Sequence, residues 1–266
     1  MTQALSIATW NIHKGFSQFN RRMMVHELRE RLRELSADIV FLQEVQGLHI
    51  GHAARHTDWP LQPQHEFLAE DVWSDHCYGS NVAYDHGHHG NAILSRFPIL
   101  HSDNQDVTHL RFDKRGLLHC AVELPLLAQP LHCVCVHLSL FARSRRLQLD
   151  ALASRIEEVV PAAAPLLIAG DFNDWRNRAD DLLAQRLGLV EVFSGGGRRP
   201  SRSFPAALPM FRLDRIYQRG LQITGRQVHA GPPWSNISDH AVLSAEFQVK
   251  ADFAGLRSGS PGRQSA

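Results

Sequence analysis

Eight short apolar runs, most of them flanked by a polar residue able to do chemistry, constrain this chain more than any other feature. The sharpest is Pro165-Leu166-Leu167-Ile168-Ala169, which stops abruptly at Gly170-Asp171-Phe172-Asn173-Asp174. Such a run reads as a buried strand that delivers an Asp and an Asn to a site. Asp171 can take a proton or hold a hard cation, and Asn173 can donate to a phosphate oxygen without adding a repelling charge. The other runs are Leu5 to Trp10, Asp38 to Leu42, Ala92 to Ser95, Leu117 to Leu124, Leu131 to Leu138, Leu213 to Tyr217 and Ala241 to Val249.

Helical periodicity is clear in two places. Val25, Leu28, Leu32 and Leu35 share one face of a helix over 25–35, and Leu149, Leu152, Ile156 and Val159 do so over 143–160, where Pro161 stops the run. Strand-helix-strand order occurs twice, which predicts an α/β protein with packed sheets and outer helices. No internal repeat and no linker divides the body, so one domain is expected over residues 1–250. The tail 251–266, small and polar from Gly255 onward, is expected to be disordered. His49 to Asp75 and Ser194 to Pro209 read as long loops, either functional rims or insertions.

Composition excludes several classes. The 266 residues carry a net charge of +1, which gives no strong pull toward bulk nucleic acid or an anionic membrane. Lysine occurs only at Lys14, Lys114 and Lys250, the other basic residues being arginine. Four cysteines in a chain this long do not form a secreted disulfide framework. Cys133 and Cys135 alternate and should face one side of a strand as small buried groups in a reducing compartment. No apolar stretch is long enough to span a bilayer, and no basic leader precedes the first apolar run. A cytoplasmic location and no obligate protein partner are the expectations.

Polar residues recur where the apolar runs end: Asn11 after Trp10, Glu44 after Gln43, Asn91 before Ala92, His137 in Val136-His137-Leu138, Asp214 after Leu213, and Asp239-His240 before Ala241. Ionisable groups in apolar strands are costly unless paired. Each has an ordinary explanation alone. Glu44 could be a solvated loop residue, His137 a hydrogen-bonded core group, and Asp171 to Asp174 a helix-capping turn. Asp214 could be a structural ion pair with its flanking arginines, and Ser238-Asp239-His240 a simple turn. Together they make an inventory of carboxylates, amides and two histidines with no serine or cysteine nucleophile motif. That set suits a hard cation, a phosphate and an activated water.

These motifs, Thr9-Trp10-Asn11-Ile12-His13, Leu42-Gln43-Glu44-Val45, Val136-His137-Leu138, Gly170 to Asp174, Arg212-Leu213-Asp214 and Ser238-Asp239-His240, resemble in order the series of the endonuclease/exonuclease/phosphatase superfamily. The series spans nearly the whole chain. Ile12-His13-Lys14-Gly15-Phe16 and Gly87-His88-His89-Gly90-Asn91 are most similar to its small bacterial YbhP-like branch. The resemblance implies a deoxyribonuclease I-like four-layer sandwich, two packed and mostly antiparallel β-sheets flanked by helices. It implies a phosphoesterase that uses Mg²⁺, with Mn²⁺ as the alternative, on a phosphodiester or phosphomonoester. Glu44 would hold the metal, joined by Asp239 directly or through water. Asn11 would help place the phosphate, Asp171 would deprotonate the attacking water, and Asn173 would hold a non-bridging oxygen. His240, oriented by Asp214, would stabilise the developing charge, and His137 would contact the phosphate or assist the leaving oxygen. In related nucleases the counterpart of His137 leans on a Glu. Here Glu66, Glu70 and Asp85 are candidates without a motif, and Asn91 is assigned to the phosphate site.

Asp85-His86-Gly87-His88-His89 invites a zinc reading but lacks a matching downstream ligand set, so a rim loop is expected instead. The substrate stays open between a small or lipid-like phosphoester and a nucleic acid. In the latter case Arg143-Ser144-Arg145-Arg146 and Arg198-Arg199 would track the backbone. A non-catalytic binding module would be expected to lack one of Glu44, Asp171, Asn173 or His240, and all four are present.

Overall fold

A computed structural model describes residues 2–18, 21–194 and 201–250. The tail 251–266 and the arginine pair 198–199 lie outside the described residues. The chain opens with strand β1 (Thr2–Asn11), helix α1 (Val25–Leu35) and strand β2 (Ile39–His49). Helices α2 (Ile50–Ala53) and α3 (Gln64–Ala69) follow, then β3 (Asp75–Tyr84), β4 (Gly87–Ser95) and β5 (Ile99–Asp106). Next come β6 (Gly116–Val122), β7 (Leu131–His137), α4 (Ala142–Val159), β8 (Leu166–Asp171) and α5 (Arg178–Leu187). The chain closes with β9 (Val190–Glu191), β10 (Asp214–Arg219), β11 (Gln222–His229) and β12 (Val242–Lys250).

The strands form two six-stranded sheets, ordered β11-β12-β1-β2-β4-β3 and β5-β6-β7-β8-β10-β9. Each sheet is antiparallel except for one central parallel pair, β1 with β2 and β7 with β8. A parallel pair needs a crossover, and α1 and α4 supply the two. Both parallel pairs therefore point their C-terminal ends the same way along their sheet.

Alternate residues of the central strands go to different layers. Ile7, Phe41, Cys135 and Leu167 pack between the sheets. Their neighbours Ala8 and Val40 pack with Val25, Leu28 and Leu32 of α1, and Val134 and Leu166 pack with Leu149, Leu152 and Ile156 of α4. Strands buried on both faces read as continuous apolar runs, and helices outside both sheets complete the four-layer α/β sandwich. Cys133 and Cys135 both face the inter-sheet core, and all four cysteines are free and buried.

The span His49 to Asp75 holds α2 and α3, so it is not a bare loop. The histidine cluster at 85–89 is a β-hairpin: Asp85 and His86 form its turn, and His88 and His89 lie on β4. Helix α5 also goes beyond the periodicity read from the sequence. It buries Ala179, Leu183 and Leu187.

Candidate active site

The site lies where the ends of the central strands of both sheets meet. Asn11 ends β1, His137 ends β7 and Asp171 ends β8, while Asp214 opens β10 directly across from Asp171 in the antiparallel register. Gly170 allows this convergence. It has φ of +146°, and a Cβ there would lie 2.0 Å from the Val136 carbonyl oxygen. Glu44 is presented differently. The β2–β4 register slips between Leu42 and Val45, and Glu44 sits in this irregularity with φ of +56°. His13, Lys14 and Asn173 also have positive φ. Left-handed backbone at non-glycine residues is costly and clusters at functional sites, and all four of these residues line one cavity of about 640 Å³.

Asp171 is the hub. Its Oδ1 accepts the backbone N–H of Asn173 at 3.0 Å, and its Oδ2 accepts from Asn11 Nδ2 at 3.2 Å. His137 Nε2 lies 3.5 Å and His240 Nε2 3.9 Å from the same Oδ2. Burial disfavours the carboxylate and lifts its pKa to about 6, the nearby Asp214 adding to the rise and positive His240 opposing it.

His240 is fixed at several points. Its Nδ1 meets Asp214 Oδ2 at 2.8 Å, its carbonyl accepts from Trp10 Nε1 at 2.9 Å, and Ser238 Oγ accepts its backbone N–H at 3.2 Å. Ser238 in turn donates to the Asn11 carbonyl at 2.7 Å. Burial pulls the imidazole pKa down, but Asp214, Asp171 and Asp239 outweigh it and hold it at about 10. The ring is an imidazolium at neutral pH, with Nδ1–H donated to Asp214 and Nε2–H turned toward Asp171. The flanking arginines leave Asp214 free for this role, because Arg212 pairs with Asp180 and Glu191, and Arg215 with Asp180 and Asp174. Asp214, Asp171 and His240 also form a compact set of potential metal-ligand atoms. Within that cluster the His240 Nδ1 is taken up by Asp214, 2.8 Å away.

His137 differs. Burial and the surrounding positive charge of Arg115 and His240 drive its pKa well below the usual histidine range, so its ring is neutral. Glu66 and Glu70 are turned to the surface, near His65 and Arg29 respectively, and Asp85 is exposed in the hairpin turn. The carboxylate beside His137 is Asp171 itself.

On the other side of the hub, Asn11 Nδ2 reaches Glu44 Oε1 at 3.3 Å as well as Asp171, so its amide hydrogens tie two carboxylates together. Its Oδ1 accepts the His13 backbone N–H at 3.1 Å. Lys14 Nζ lies 3.8 Å from Glu44, and His13 Nδ1 lies 3.2 Å from Asp239. The hydrogen bond to Asp239 raises the His13 pKa. Burial pushes Asp239 up, but His13 and positive His240 bring it below the usual carboxylate range. Asn173 donates an amide hydrogen to the Leu138 carbonyl at 3.0 Å and lines the cavity. Asp174 closes the motif structurally, its Oδ2 accepting the Ala179 N–H at 2.8 Å at the start of α5.

Asn91, expected at the phosphate, lies outside the main cavity, in a small adjoining pocket with Glu44, His89, Arg115 and His137. Its amide donates to the Gly116 and Cys135 carbonyls of the facing sheet at 3.2 and 3.3 Å and so links the two sheets. Four ionisable residues join the cavity that the motifs did not assign: His13, Lys14, His89 and Arg115. Lys14 and His13 fall inside a motif already marked by resemblance. Arg115 has no local signal. It reaches the cavity from the loop before β6, where Asp113 holds its guanidinium at 2.8 Å.

The endonuclease/exonuclease/phosphatase family model matches residues 8–240, and the chain belongs to that family. The Escherichia coli (strain K12) protein YbhP, itself uncharacterized, is 45% identical over 246 residues, covering 92% of this chain and 97% of that one. Among solved structures, the endonuclease/exonuclease/phosphatase from Bacteroides vulgatus superposes with a TM-score of 0.72 at 17% identity, over 92% of this chain and 98% of that one. D. rerio TDP2, complexed with single strand DNA product, gives a TM-score of 0.67 at 22% identity over 92% and 98%. These two likenesses establish the deoxyribonuclease I-like fold. Family members are generally phosphoester hydrolases. Among the described residues, no helix is long and apolar enough to cross a membrane.

Proposed function

We propose that this protein is a divalent-metal-dependent phosphoesterase that drives water in line onto a phosphodiester or phosphomonoester. The observation that carries the reading is the arrangement around Asp171: a buried carboxylate of near-neutral pKa, facing an imidazolium that is itself anchored on a second carboxylate. Asp171 is ionised at neutral pH yet basic enough to take a proton from water, the compromise that general-base catalysis favours. The N–H donors of Asn173 and Asn11 fix its two oxygens, so it is already oriented when substrate arrives. The His240 Nε2–H faces the negative charge that gathers on the non-bridging oxygens, and Asp214 keeps it charged. The amide of Asn173 adds a neutral donor. Neutral His137 acts as a hydrogen-bond partner to the phosphate.

The donors on the Glu44 side fit a hard cation: the carboxylates of Glu44 and Asp239 and the amide of Asn11. Glu44 is the residue to hold Mg²⁺ or Mn²⁺, with Asp239 beside it. A bound cation there supplies charge neutralisation on the phosphate. Lys14 and His13 lie beside these two carboxylates, at 3.8 Å from Glu44 and 3.2 Å from Asp239. The four buried free thiols support a reducing, cytoplasmic setting.

Purified protein should release p-nitrophenol from bis-p-nitrophenyl phosphate with Mg²⁺ or Mn²⁺ and lose the activity with EDTA. A rate indifferent to metal overturns the reading. A nuclease would use the same groups. The arginine run that sequence offered for tracking a backbone is partly committed, since Arg145 is buried and donates to the Ser139 and Leu140 carbonyls at 2.8 and 3.0 Å.

A further inference from the structure

The cavity has two unlike walls. One holds the phosphate chemistry described above. The other is built from Leu140, Trp175, Phe204, Phe211 and Leu213, none of which that chemistry uses. At about 640 Å³ the cavity is of the size that takes a drug-like ligand, much larger than a phosphate alone requires. The apolar wall also continues outward. Leu140, Trp175 and Phe211 are 52%, 46% and 46% exposed. Phe141, next to Leu140, meets exposed Phe112 edge-on at 5.7 Å, and Met210, next to Phe211, is exposed as well. Exposed apolar side chains scattered singly need no explanation, but a group of them rimming one pocket marks a binding surface.

These side chains are held as a surface rather than left as a slack loop. Backbone hydrogen bonds link Phe204 and Phe211 in both directions, and the Ser203 N–H donates to the Phe211 carbonyl at 2.9 Å. Ser203 Oγ then accepts the Asp214 N–H at 3.0 Å, and the Phe204 ring lies 5.0 Å from the His240 ring. The apolar wall is thus tied directly to the charge-stabilising pair. One face of Trp175 is covered by the Arg145 guanidinium at 5.4 Å. That leaves it a packing surface on its cavity side rather than an open platform for stacked bases on both faces.

We propose that the substrate is an amphiphilic phosphoester: a phosphate carrying an aliphatic or acyl chain that lies on the Leu140–Trp175–Phe211 wall while the phosphate sits over Asp171 and His240. The proposal rests on the phosphoesterase reading and narrows it. The lining supports it, because Lys14 and Arg115 bring fixed positive charge to the anionic head beside the carboxylates of Glu44 and Asp239, and the apolar side chains of the same cavity suit the chain. In the reaction a water oxygen bonds to phosphorus as the ester P–O bond breaks. The water's proton passes to Asp171, and the leaving oxygen keeps the bonding pair and takes a proton from solvent.

The test is binding of methyl, hexyl and decyl phosphate, each below its micellar range, by titration calorimetry on the full chain. Affinity should rise by at least about tenfold from methyl to decyl, since each buried methylene adds to binding. Trp175→Ser and Phe211→Ser should each shrink that decyl-to-methyl ratio, a change a general folding defect would not produce. Equal affinities along the series overturn the proposal, as does tighter capture of a single-stranded oligonucleotide than of decyl phosphate. Turnover separates the underlying reading. If methyl p-nitrophenyl phosphate is not hydrolysed with Mg²⁺ or Mn²⁺, the phosphoesterase reading fails, whatever the chain-length series shows. Faster release from a diacyl phospholipid in mixed micelles than from decyl p-nitrophenyl phosphate identifies a lipid as the source of the chain, and the reverse identifies a soluble alkyl ester. Either order supports the amphiphile.

Discussion

The end of β7 and the turn before β12 each present a buried histidine to the same carboxylate oxygen. His137 Nε2 lies 3.5 Å and His240 Nε2 3.9 Å from Asp171 Oδ2. The two rings nonetheless carry opposite charge states. His240 has a dedicated carboxylate, Asp214, on its far nitrogen and stays protonated to about 10. Among the described residues His137 has no such partner; it faces Arg115 and His240 and is driven neutral by burial. Desolvation acts on both in the same direction, so the group bonded to the other ring nitrogen decides. The difference assigns the work: one ring brings positive charge to the site, and the other is a neutral hydrogen-bond group.

Changing the shared carboxylate tests whether both rings serve one reaction. Asp171→Asn should cut kcat/KM on a model phosphodiester by about three orders of magnitude, roughly 4 kcal/mol, within the span expected for a general base. A loss under about tenfold would mean that water is activated elsewhere. His240→Ala should cost about two to three orders, like the loss of a preorganised donor to a developing oxyanion. Asp214→Asn should cost somewhat less. It should also move the alkaline limb of the pH–rate profile well below its wild-type position near 10, because the ring loses the carboxylate that keeps it charged. If that limb stays in place, Asp214 does not set the charge of His240. The wild-type profile should rise through about 6, as Asp171 loses its proton and becomes a base, and then level off.

His137→Gln sharpens the contrast from the weaker side. A neutral hydrogen-bond partner should be partly replaced by an amide, with a loss of about tenfold in kcat/KM. A loss equal to that of His240→Ala would show that His137 also works as a charged group, and the contrast would break.

The smallest effect is on stability and lies away from the site. His132 meets His119 at 2.9 Å, and burial and the histidine neighbours lower its pKa from 6.5 to about 4. The unfolded chain binds that proton more tightly than the folded one. Stability is therefore full above about 6.5 and falls as pH drops toward 4, by about 1.4 kcal/mol per pH unit at most for this group. Urea unfolding at pH 7.5 and 5 should show the loss, and His132→Leu should reduce the difference. An unchanged difference would mean that burial does not set the charge of a histidine without a carboxylate partner in this protein.

The eight runs legible in the sequence are the eight interior strands, β1, β2, β4, β6, β7, β8, β10 and β12. The four strands that were not legible, β3, β5, β9 and β11, are the four sheet edges. An interior strand is hydrogen-bonded on both sides and mostly buried, so it carries an apolar stretch such as Leu166–Ala169 of β8, whereas an edge such as β5, Ile-Leu-His-Ser-Asp-Asn-Gln-Asp, stays largely solvated and polar. The same logic made the site residues legible. Asn11, Glu44, His137, Asp171 and Asp214 stand where interior strands break into polar residues, which an apolar pattern marks directly.

The sequence by itself thus determined the layered α/β architecture and the residues that interior strands carry to one end of the sheets, because burial writes itself into local pattern. Tertiary structure alone decided the rest. It sent the Asn91 amide into the seam between the sheets, brought Arg115 to the cavity from a segment with no motif, and set apolar side chains beside the polar groups of the cavity. It also gave His137 and His240 opposite charges. Each of these outcomes depends on neighbours far apart in the chain, as between Asn11 and Asp171 or Trp10 and His240, and on the depth at which they meet. Neither is written in the residues on either side.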